Sequence, residues 1–418
     1  MDTTARNAIL AAIVGDALGS TLDGLGKGHI RAAFRVIDGY IDPEPALKGK
    51  MERWRKPGLY SSISQFMLIR AMACARRWPG RDEFVRLCAA ATGPAGSGGI
   101  FRNPDAVERN FIARVSAGTS LQGALPSPCA RILPAMAPAC FRTASPSGLM
   151  ADVIPVVRLF THDHSTMALC LFFPTLLNAL ISGNASTAVL VRESAAAARA
   201  LADDVESNSG ALFEMGVTPD TLAGELAGIA GLLTEMEGAG SLEDAEWMIC
   251  ARVNRVRTTP VTRATVGLPT ALLPYAIAIC AFHLDSASLL FRAVSEGGST
   301  APLTALTGAI GACCGETVVP DALLMNLVNR RKILSLLDSL FGNGGAPDAD
   351  DFFQSERSLT SKEQEELRAR LKHSRKKSKP RPSTRADRER ELSRHAVESW
   401  TKLDKARWKK ERKQMDGK

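Results

Sequence analysis

Residues 58–65 read GLYSSISQ and form the first of two short stretches that decide the fold. Ser62 and Gln65 have the S-x-x-Q spacing of a capping box, in which the two side chains satisfy backbone N–H groups at a helix start. An apolar stripe at helical spacing follows over residues 66–72. The stretch therefore predicts the beginning of a buried helix.

Residues 297–302 read GGSTAP and form the second stretch. Ser299 or Thr300 can cap a helix here, and Pro302 suits the first helical turn. Small residues then recur at helical spacing over residues 303–315. We therefore predict a tight turn followed by a helix that packs closely against another one.

Outward from these stretches, apolar residues up to about residue 341 recur with a period near 3.6, which is typical of helices. Aromatic residues make up only 6% of the chain, so helices packed through small residues are favoured over a sandwich of sheets. The best strand candidate is Val153–Leu159. The sequence predicts an all-α fold, a multi-helix bundle. The predicted helices span residues 8–20, 64–76, 165–181, 185–202, 221–236, 241–253, 269–284, 287–294, 303–314 and 320–340.

An acidic motif near the amino terminus reads GDALG over residues 15–19, with Asp23 a few positions on. Glycines at this spacing let a helix approach a neighbouring backbone closely. Asp16 then lies near the end of that helix.

Residues 127–134 read SPCARILP, a loop that runs into a short apolar segment. Arg131 is the charged residue of this loop. It can either bind an anion or pair with an acid inside the protein.

Residues 161–164 read THDH and contain two histidines, which are common metal ligands. Two histidines at i and i+2 lie on different faces of a helix, and no second ligand cluster has suitable spacing. A helix N-terminal turn capped by Asp163 or Ser165 is the favoured interpretation.

In order and separation, these motifs resemble those of the ADP-ribosylglycohydrolase family. That family has a G-D-A-x-G helix with an acid beyond it, a T/S-D-D-T-Q motif, and a glycine-rich phosphate loop ending in M-R-x-x-P. A T-H pair and a G-G-D-T-D-T motif follow. The matching stretches are residues 15–19 with Asp23, 60–65, 130–134, 161–162 and 297–302.

The resemblance covers about residues 8–340 and implies an all-α, single-domain bundle with a cleft where these loops meet. In active members, two Mg²⁺ ions in the cleft assist cleavage of the glycosidic bond between ADP-ribose and a protein side chain. The ligand-binding positions implied here are Asp23, Ser127, Arg131, His162, Gly297 and Gly298.

The family's metal-binding aspartates are absent from this sequence. In the first motif they correspond to Ser62 and Ile63, and in the second to Ser299 and Ala301. Mg²⁺ prefers six oxygen ligands that include one or two carboxylates, so neutral hydroxyls and an isoleucine do not suit it. We therefore expect no metal and no cofactor. The degenerate positions are Ser61, Ser62, Ile63, Ser299, Ala301 and Pro302.

These losses favour a non-catalytic member of the fold that acts as a binding or assembly module. It would bind ADP-ribose or a related nucleotide weakly, because Ser127 and Pro128 replace glycines of the phosphate loop. The alternative is an active hydrolase. It would either use a modified, metal-free site with Asp23, Glu296 or Asp16 as acid or base, Asp23 being the weak catalytic candidate, or hold its metal site at positions other than those matched here. Mg²⁺ enters only if the protein is active.

The positive charge of the chain is concentrated near its carboxyl terminus. The net charge is +8, yet residues 355–418 carry 22 Lys/Arg and 11 Asp/Glu. We predict a domain over residues 1–341, a linker over 342–358 and a basic, partly helical tail over 359–418. Helices at 360–379 and 384–415, the second with Trp400 on one face, would engage nucleic acid or a partner protein, or form a solvated charged appendage.

Nine cysteines without a C-x-x-C pair are typical of a reducing compartment. No convincing secretory signal is present. The longest apolar runs, residues 167–181 and 271–282, each contain a proline and fall short of the ~20 residues that span a bilayer. We expect a cytoplasmic protein without a membrane partner.

Overall fold

The computed structural model describes residues 3–93, 99–119, 124–183, 187–283, 288–315, 319–342 and 347–378. Most of this part of the chain is helical and the described strands are two residues long, so the predicted all-α class is confirmed. The helices are α1 (Thr3–Ser20), α2 (Lys27–Ala33), α3 (Glu44–Leu47), α4 (Ser62–Arg76), α5 (Arg81–Thr92), α6 (Ala106–Ser116), α7 (Pro146–Phe160), α8 (His164–Gly183), α9 (Leu190–Ser207), α10 (Ser209–Glu214), α11 (Pro219–Met236), α12 (Leu242–Asn254), α13 (Pro269–Phe282), α14 (Leu289–Ser295), α15 (Thr300–Cys313), α16 (Asp321–Asn326), α17 (Arg330–Phe341) and α18 (Ala349–Ser378). Short 3-10 helices span Met51–Arg53, Ala130–Ile132, Pro134–Phe141 and Thr187–Val189.

Helices α1 and α15 pack against each other at backbone distance. A Cβ atom added to Gly15 would lie 2.3 Å from the carbonyl oxygen of Thr304. The hydroxyl of Thr304 donates to the carbonyl of Gly15 at 2.6 Å, and that of Thr300 donates to Gly19 at 2.7 Å. The glycines of the GDALG motif therefore serve helix packing, and they place the end of α1 beside the start of α15.

A two-residue antiparallel strand pair lies next to this contact. Strand β1 (Leu25–Gly26) pairs with β2 (Gly297–Gly298). Both β2 glycines have positive φ, and a Cβ atom on Gly298 would lie 2.3 Å from the carbonyl oxygen of Thr265. The pair holds the turn after α1 against the residues that precede α15.

Helix α8 is the one described helix that is long and apolar enough to cross a bilayer. Within the structure, 67% of its apolar window is buried. Burial against other helices accounts for the apolar sequence of α8, as in the core helix of a globular domain.

Two elements differ from the sequence predictions. Val153–Leu159, the predicted strand, lies inside helix α7. A short β-branched run that is buried on nearly every side carries no periodicity with which to distinguish helix from strand. The predicted helix over residues 320–340 is two helices, α16 and α17, separated at Asn329, where φ is +64°.

The predicted linker over residues 342–358 is also incorrect in its second half. Helix α18 begins at Ala349, and its side chains Phe352, Phe353 and Glu356 are buried. Gly, Pro and Asp residues dominate the sequence before Phe352, and this composition concealed the helical spacing of the buried residues after it. The predicted helix over residues 384–415 lies outside the described residues.

The chain divides into two compact units, residues 1–367 and residues 368–418. The first unit contains every helix from α1 to α17 and the first part of α18. The described portion of the second unit is the remainder of α18.

Candidate functional site

The motifs identified in the sequence meet at one end of the bundle. The end of α1 and the turn after it carry Asp16 and Asp23. The N-termini of α4 and α15 carry the motifs of residues 60–65 and 297–302, and the 3-10 helix Ala130–Ile132 carries Arg131. Hydrogen bonds link all four elements, as follows.

Asp16 is fully buried and accepts four hydrogen bonds at the N-terminus of α4. They come from the N–H and hydroxyl of Ser61, at 2.9 and 2.7 Å, and from the N–H and hydroxyl of Ser64, at 3.1 and 2.7 Å. A carboxylate at this position is also favoured by the helix dipole. Asp16 therefore caps α4 from a different helix.

The predicted capping box of Ser62 and Gln65 does not form. Ser61 is the N-cap residue of α4, and the side chain of Gln65 donates to the carbonyl of Ile100 and to Glu356. Because Asp16 accepts from the N–H groups at the helix start, Gln65 is available for these other partners.

Arg131 lies at the centre of the site and is only 8% exposed. Its Nε donates to Glu108 at 2.9 Å and its Nη1 to Asp23 at 3.0 Å. Its Nη2 lies 3.1–3.3 Å from oxygen atoms of Ser61, Ser62 and Asn103. Of the two interpretations left open by the sequence, pairing with internal acids is the one that the structure supports.

Glu108 is a buried partner of Arg131 that the sequence analysis missed. It belongs to a capping box with Asp105 at the start of α6, and its Oε1 accepts from the hydroxyl of Ser62 at 2.9 Å. Burial raises the pKa of Glu108, and the charge of Arg131 opposes that rise. The D-x-x-E spacing of residues 105–108 was the available signal, but it indicates only a helix start.

Asp23 connects Arg131 to the second motif. Its Oδ1 accepts from the N–H of Ala301 at 3.3 Å, whereas the N-cap residue Ser299 forms no capping bond with its own side chain. Burial raises the pKa of Asp23, and Arg131 opposes this effect as well. Asp16 therefore caps the N-terminus of α4, and Asp23 caps the N-terminus of α15.

The residues at this site do not fit a magnesium centre. Ile63 and Ala301 are completely buried apolar groups, the hydroxyl of Ser62 is engaged by Glu108, and a guanidinium lies among the remaining carboxylates. Within the described residues, no group of three or more His, Cys, Asp or Glu side chains is arranged to hold a metal ion. The positive charge beside Asp23 and Glu108 is supplied by Arg131.

Glu296, a candidate acid or base under the alternative hypothesis, is held by a separate cluster. It accepts from Lys27 at 2.6 Å, Arg263 at 2.9 Å and Tyr275 at 3.0 Å, and it is 1% exposed. Burial opposes ionisation, but Lys27 and the neighbouring arginine Arg292 lower the pKa of Glu296 overall. Glu296 is a structural anion in this arrangement.

Ser127 and His162 lie on two segments that contact each other. The hydroxyl of Thr161 donates to the carbonyl of Ser127 at 2.7 Å, and the N–H of His162 donates to Leu125. Asp163 caps α8 by accepting from the N–H of Thr166 at 2.8 Å, so that predicted helix cap is confirmed. The side chain of His162 is exposed.

The two glycines of β2, Gly297 and Gly298, were also predicted as ligand-binding positions. Their positive φ angles and the contacts that a Cβ atom would meet explain both residues through backbone packing.

Fold and site together define an all-α, glycohydrolase-like protein whose motifs meet at one end of the bundle around a buried arginine. The chain belongs to the ADP-ribosylglycohydrolase family, because the model of that family matches residues 2–350. A solved structure described as an ADP-ribosylglycohydrolase-related protein complex resembles it with a TM-score of 0.51. That likeness has 19% identity over 81% of this chain and 96% of the other, and it shows the fold alone. No curated protein matches the chain.

Proposed function

We propose that this protein is a non-catalytic member of the ADP-ribosylglycohydrolase family that acts as a binding module. The observation that supports the proposal is the placement of Arg131 between Asp23 and Glu108, at 3.0 and 2.9 Å. A divalent ion entering this position would have to displace a buried guanidinium from its two carboxylate partners. Without a metal, the cleft lacks the water activation and charge stabilisation that two-metal hydrolysis uses.

The other acids of the cleft are engaged as well. Asp16 accepts four hydrogen bonds and is completely buried. Glu296 is held by three cationic side chains. Asp23 alone among the three candidate acids keeps some exposure, 19% of its side chain, so it is the residue through which the alternative, a modified hydrolase, would act.

The proposal predicts no release of ADP-ribose from ADP-ribosylated arginine or serine peptides, with or without Mg²⁺, and a thermal unfolding midpoint that EDTA and Mg²⁺ leave unchanged. Release can be followed by chromatography, with an active family member as the positive control. Mg²⁺-dependent release would disprove the proposal. Metal-independent release that disappears in Asp23→Asn would instead establish the modified hydrolase.

The binding module carries a second component, the basic residues beyond Leu367. Two acids of α18 are bonded to Lys56. Glu363 accepts a hydrogen bond from the N–H of Lys56 at 3.0 Å, and Glu366 forms an ion pair with the Lys56 side chain at 2.7 Å. The remaining residues 368–418 carry 20 Lys/Arg and only 7 Asp/Glu. This excess of positive charge favours nucleic acid, a polyanionic partner, over an uncharged protein surface.

Binding of labelled duplex DNA or RNA by the full chain should therefore depend strongly on salt. If the bound tail neutralises four phosphates, raising the salt concentration from 50 to 200 mM should weaken the affinity by about 100-fold. Fluorescence anisotropy on the full chain and on a chain ending at Ser378 measures this effect. Affinity that is insensitive to salt, or equal in the two chains, would count against nucleic acid and in favour of a protein partner.

A further inference from the structure

A cavity of about 360 Å³ opens beside the Arg131 cluster. Its polar lining comes from the turn after α1, the segment before α4 and the N-terminus of α15. The side chains that concern its chemistry are Asp23, Arg53, Arg55, Asn103 and Ser299. This volume lies at the lower end of the range for small-molecule sites.

Arg55 has polar partners but, among the described residues, no carboxylate within ion-pair distance. Its Nη2 donates to the Asn103 side chain at 2.6 Å, and its Nη1 donates to the carbonyl oxygens of Trp54 and Glu52, at 2.7 and 3.1 Å. Its Nε is buried and has no hydrogen-bond partner within the described residues. Burial lowers the pKa of Arg55, as expected for a guanidinium removed from water without a carboxylate in contact.

Arg53 is in a comparable position on the same wall. Its Nη2 donates to the backbone carbonyl of Asp23 at 3.0 Å and lies over Gly24, whose added Cβ atom would be 2.5 Å away. Among the described residues, neither Arg53 nor Arg55 forms an ion pair with a carboxylate. Because Gly24 has no side chain, the guanidinium of Arg53 has room at the edge of the cavity.

The nearby carboxylates, Asp23 and Glu363, attract these guanidinium groups from a distance but form no ion pair with them within the described residues. The side chain of Asp23 is already paired with Arg131. The charge of Glu363 raises the pKa of Arg55 without direct contact, because the Oε1 of Glu363 accepts a hydrogen bond from the N–H of Lys56. The hydroxyl of Ser299, a further lining group, is bonded to no described residue and can donate to a ligand. The cavity thus presents two guanidinium groups and a hydroxyl, and the one carboxylate among its lining residues, Asp23, is paired with Arg131.

We propose that this cavity binds the oxyanion group of a small organic anion, a phosphate ester or a carboxylate, through Arg53 and Arg55. Guanidinium groups suit this role, because their fork of N–H donors matches the oxygens of phosphate and carboxylate. The inference rests on the proposed function, since it names the ligand class of a cleft that binds without hydrolysing.

Calorimetry on the full chain with ribose 5-phosphate, malonate and neutral ribose tests the inference. Ribose 5-phosphate or malonate should bind, ribose should not, and the anion that binds identifies the oxyanion chemistry. Arg55→Gln and Arg53→Gln should each weaken binding by at least about tenfold, the value of a charge-assisted hydrogen bond. Arg192→Gln, which removes the same charge from an exposed arginine on α9, should leave binding unchanged.

Two results would overturn the inference: neither anion binds, or both cavity variants, shown to be folded by circular dichroism, bind as tightly as the wild type. The peptide assay separates this failure from that of the proposed function. Absence of anion binding together with absence of hydrolysis removes only the ligand assignment. Mg²⁺-dependent hydrolysis removes the proposed function whatever the calorimetry shows.

Discussion

Replacing Arg131 with methionine is expected to reduce the free energy of unfolding at pH 7 by about 3–5 kcal/mol, the cost of leaving a buried charge without its partner. Glu108 is fully buried and Asp23 mostly so, and each loses its ion pair in this variant. Methionine is similar to arginine in length and fills the space, so the loss reports on charge more than on packing. Urea unfolding followed by tryptophan fluorescence measures it, because Trp54 is completely buried.

The same variant should recover stability as the pH is lowered. Burial raises the folded-state pKa of Asp23 and Glu108, and removing Arg131 removes the charge that opposes this rise. A carboxyl whose pKa is higher in the folded than in the unfolded state binds its proton more tightly when folded. Stability therefore increases as the pH falls through the folded pKa towards the unfolded value of about 4. The gain between pH 7 and pH 5 should be larger in Arg131→Met than in the wild type.

Two further variants serve as controls for this result. Arg131→Lys should lose an intermediate amount, because a single ammonium cannot reproduce the fork that reaches Asp23 and Glu108 together. Adding Glu108→Gln to Arg131→Met should restore part of the loss, since the uncompensated charge is removed. Equal losses for Arg131→Met at pH 5 and pH 7 would show that the carboxylates are not the cause.

Replacing Glu356 with alanine should produce a loss of similar size, about 3–5 kcal/mol. Glu356 is completely buried and is the only carboxylate paired with Arg102 among the described residues, at 2.6 Å. It also accepts from Gln65 at 2.8 Å and Asn329 at 3.0 Å, and from the hydroxyl of Tyr60. The variant therefore removes the carboxylate partner of a buried guanidinium and one hydrogen-bond acceptor from each of three polar side chains.

The matched control lies on the same helix. Glu365→Ala removes an exposed carboxylate from α18 and should change stability by no more than about 0.5 kcal/mol. Glu356→Gln should lose less than Glu356→Ala, because its amide oxygen still accepts from Arg102. Urea unfolding of the three variants provides the comparison, and similar losses for Glu356→Ala and Glu365→Ala would contradict a specific role for the buried carboxylate.

The fold was largely predictable because its signals are local. Helical periodicity and small residues at 15, 19 and 308 can be read within single segments, and they placed α1, α4, α8 and α15 close to their observed bounds. The errors arose where local signals conflict with tertiary burial. Val153–Leu159 is β-branched but is enclosed by other helices, and the Gly, Pro and Asp residues around 342–351 concealed a helix that begins at Ala349.

The site was predictable in position but not in chemistry. The resemblance predicted that the two motifs and Arg131 lie at one cleft. The sequence itself shows that residues 62, 63, 299 and 301 are not the aspartates of the family motifs. The partners of Arg131 were not, because Glu108 precedes it by 23 positions and Asp23 by 108, and no periodic signal spans such distances. Arg53 and Arg55 lie within a basic stretch just before the first motif, yet only the structure shows that they share a cavity.

Helix α18 lies almost entirely beyond the match to the family model, which ends at residue 350. Glu356 and Thr360 belong to this helix. Both contact Arg102, whose backbone carbonyl accepts from the N–H of Ser62 at the start of α4. Helix α18 therefore supports the start of α4 through Arg102.

The acids and Arg131 at this end of the bundle also make it resistant to further carboxylates. Aspartates introduced at residues 62, 63, 299 and 301 would join Asp16, Asp23 and Glu108, of which Asp23 and Glu108 already pair with Arg131. Residues 63 and 301 are completely buried, so a single aspartate at either position would be an isolated buried charge. Each of these two substitutions is therefore expected to make the protein less stable.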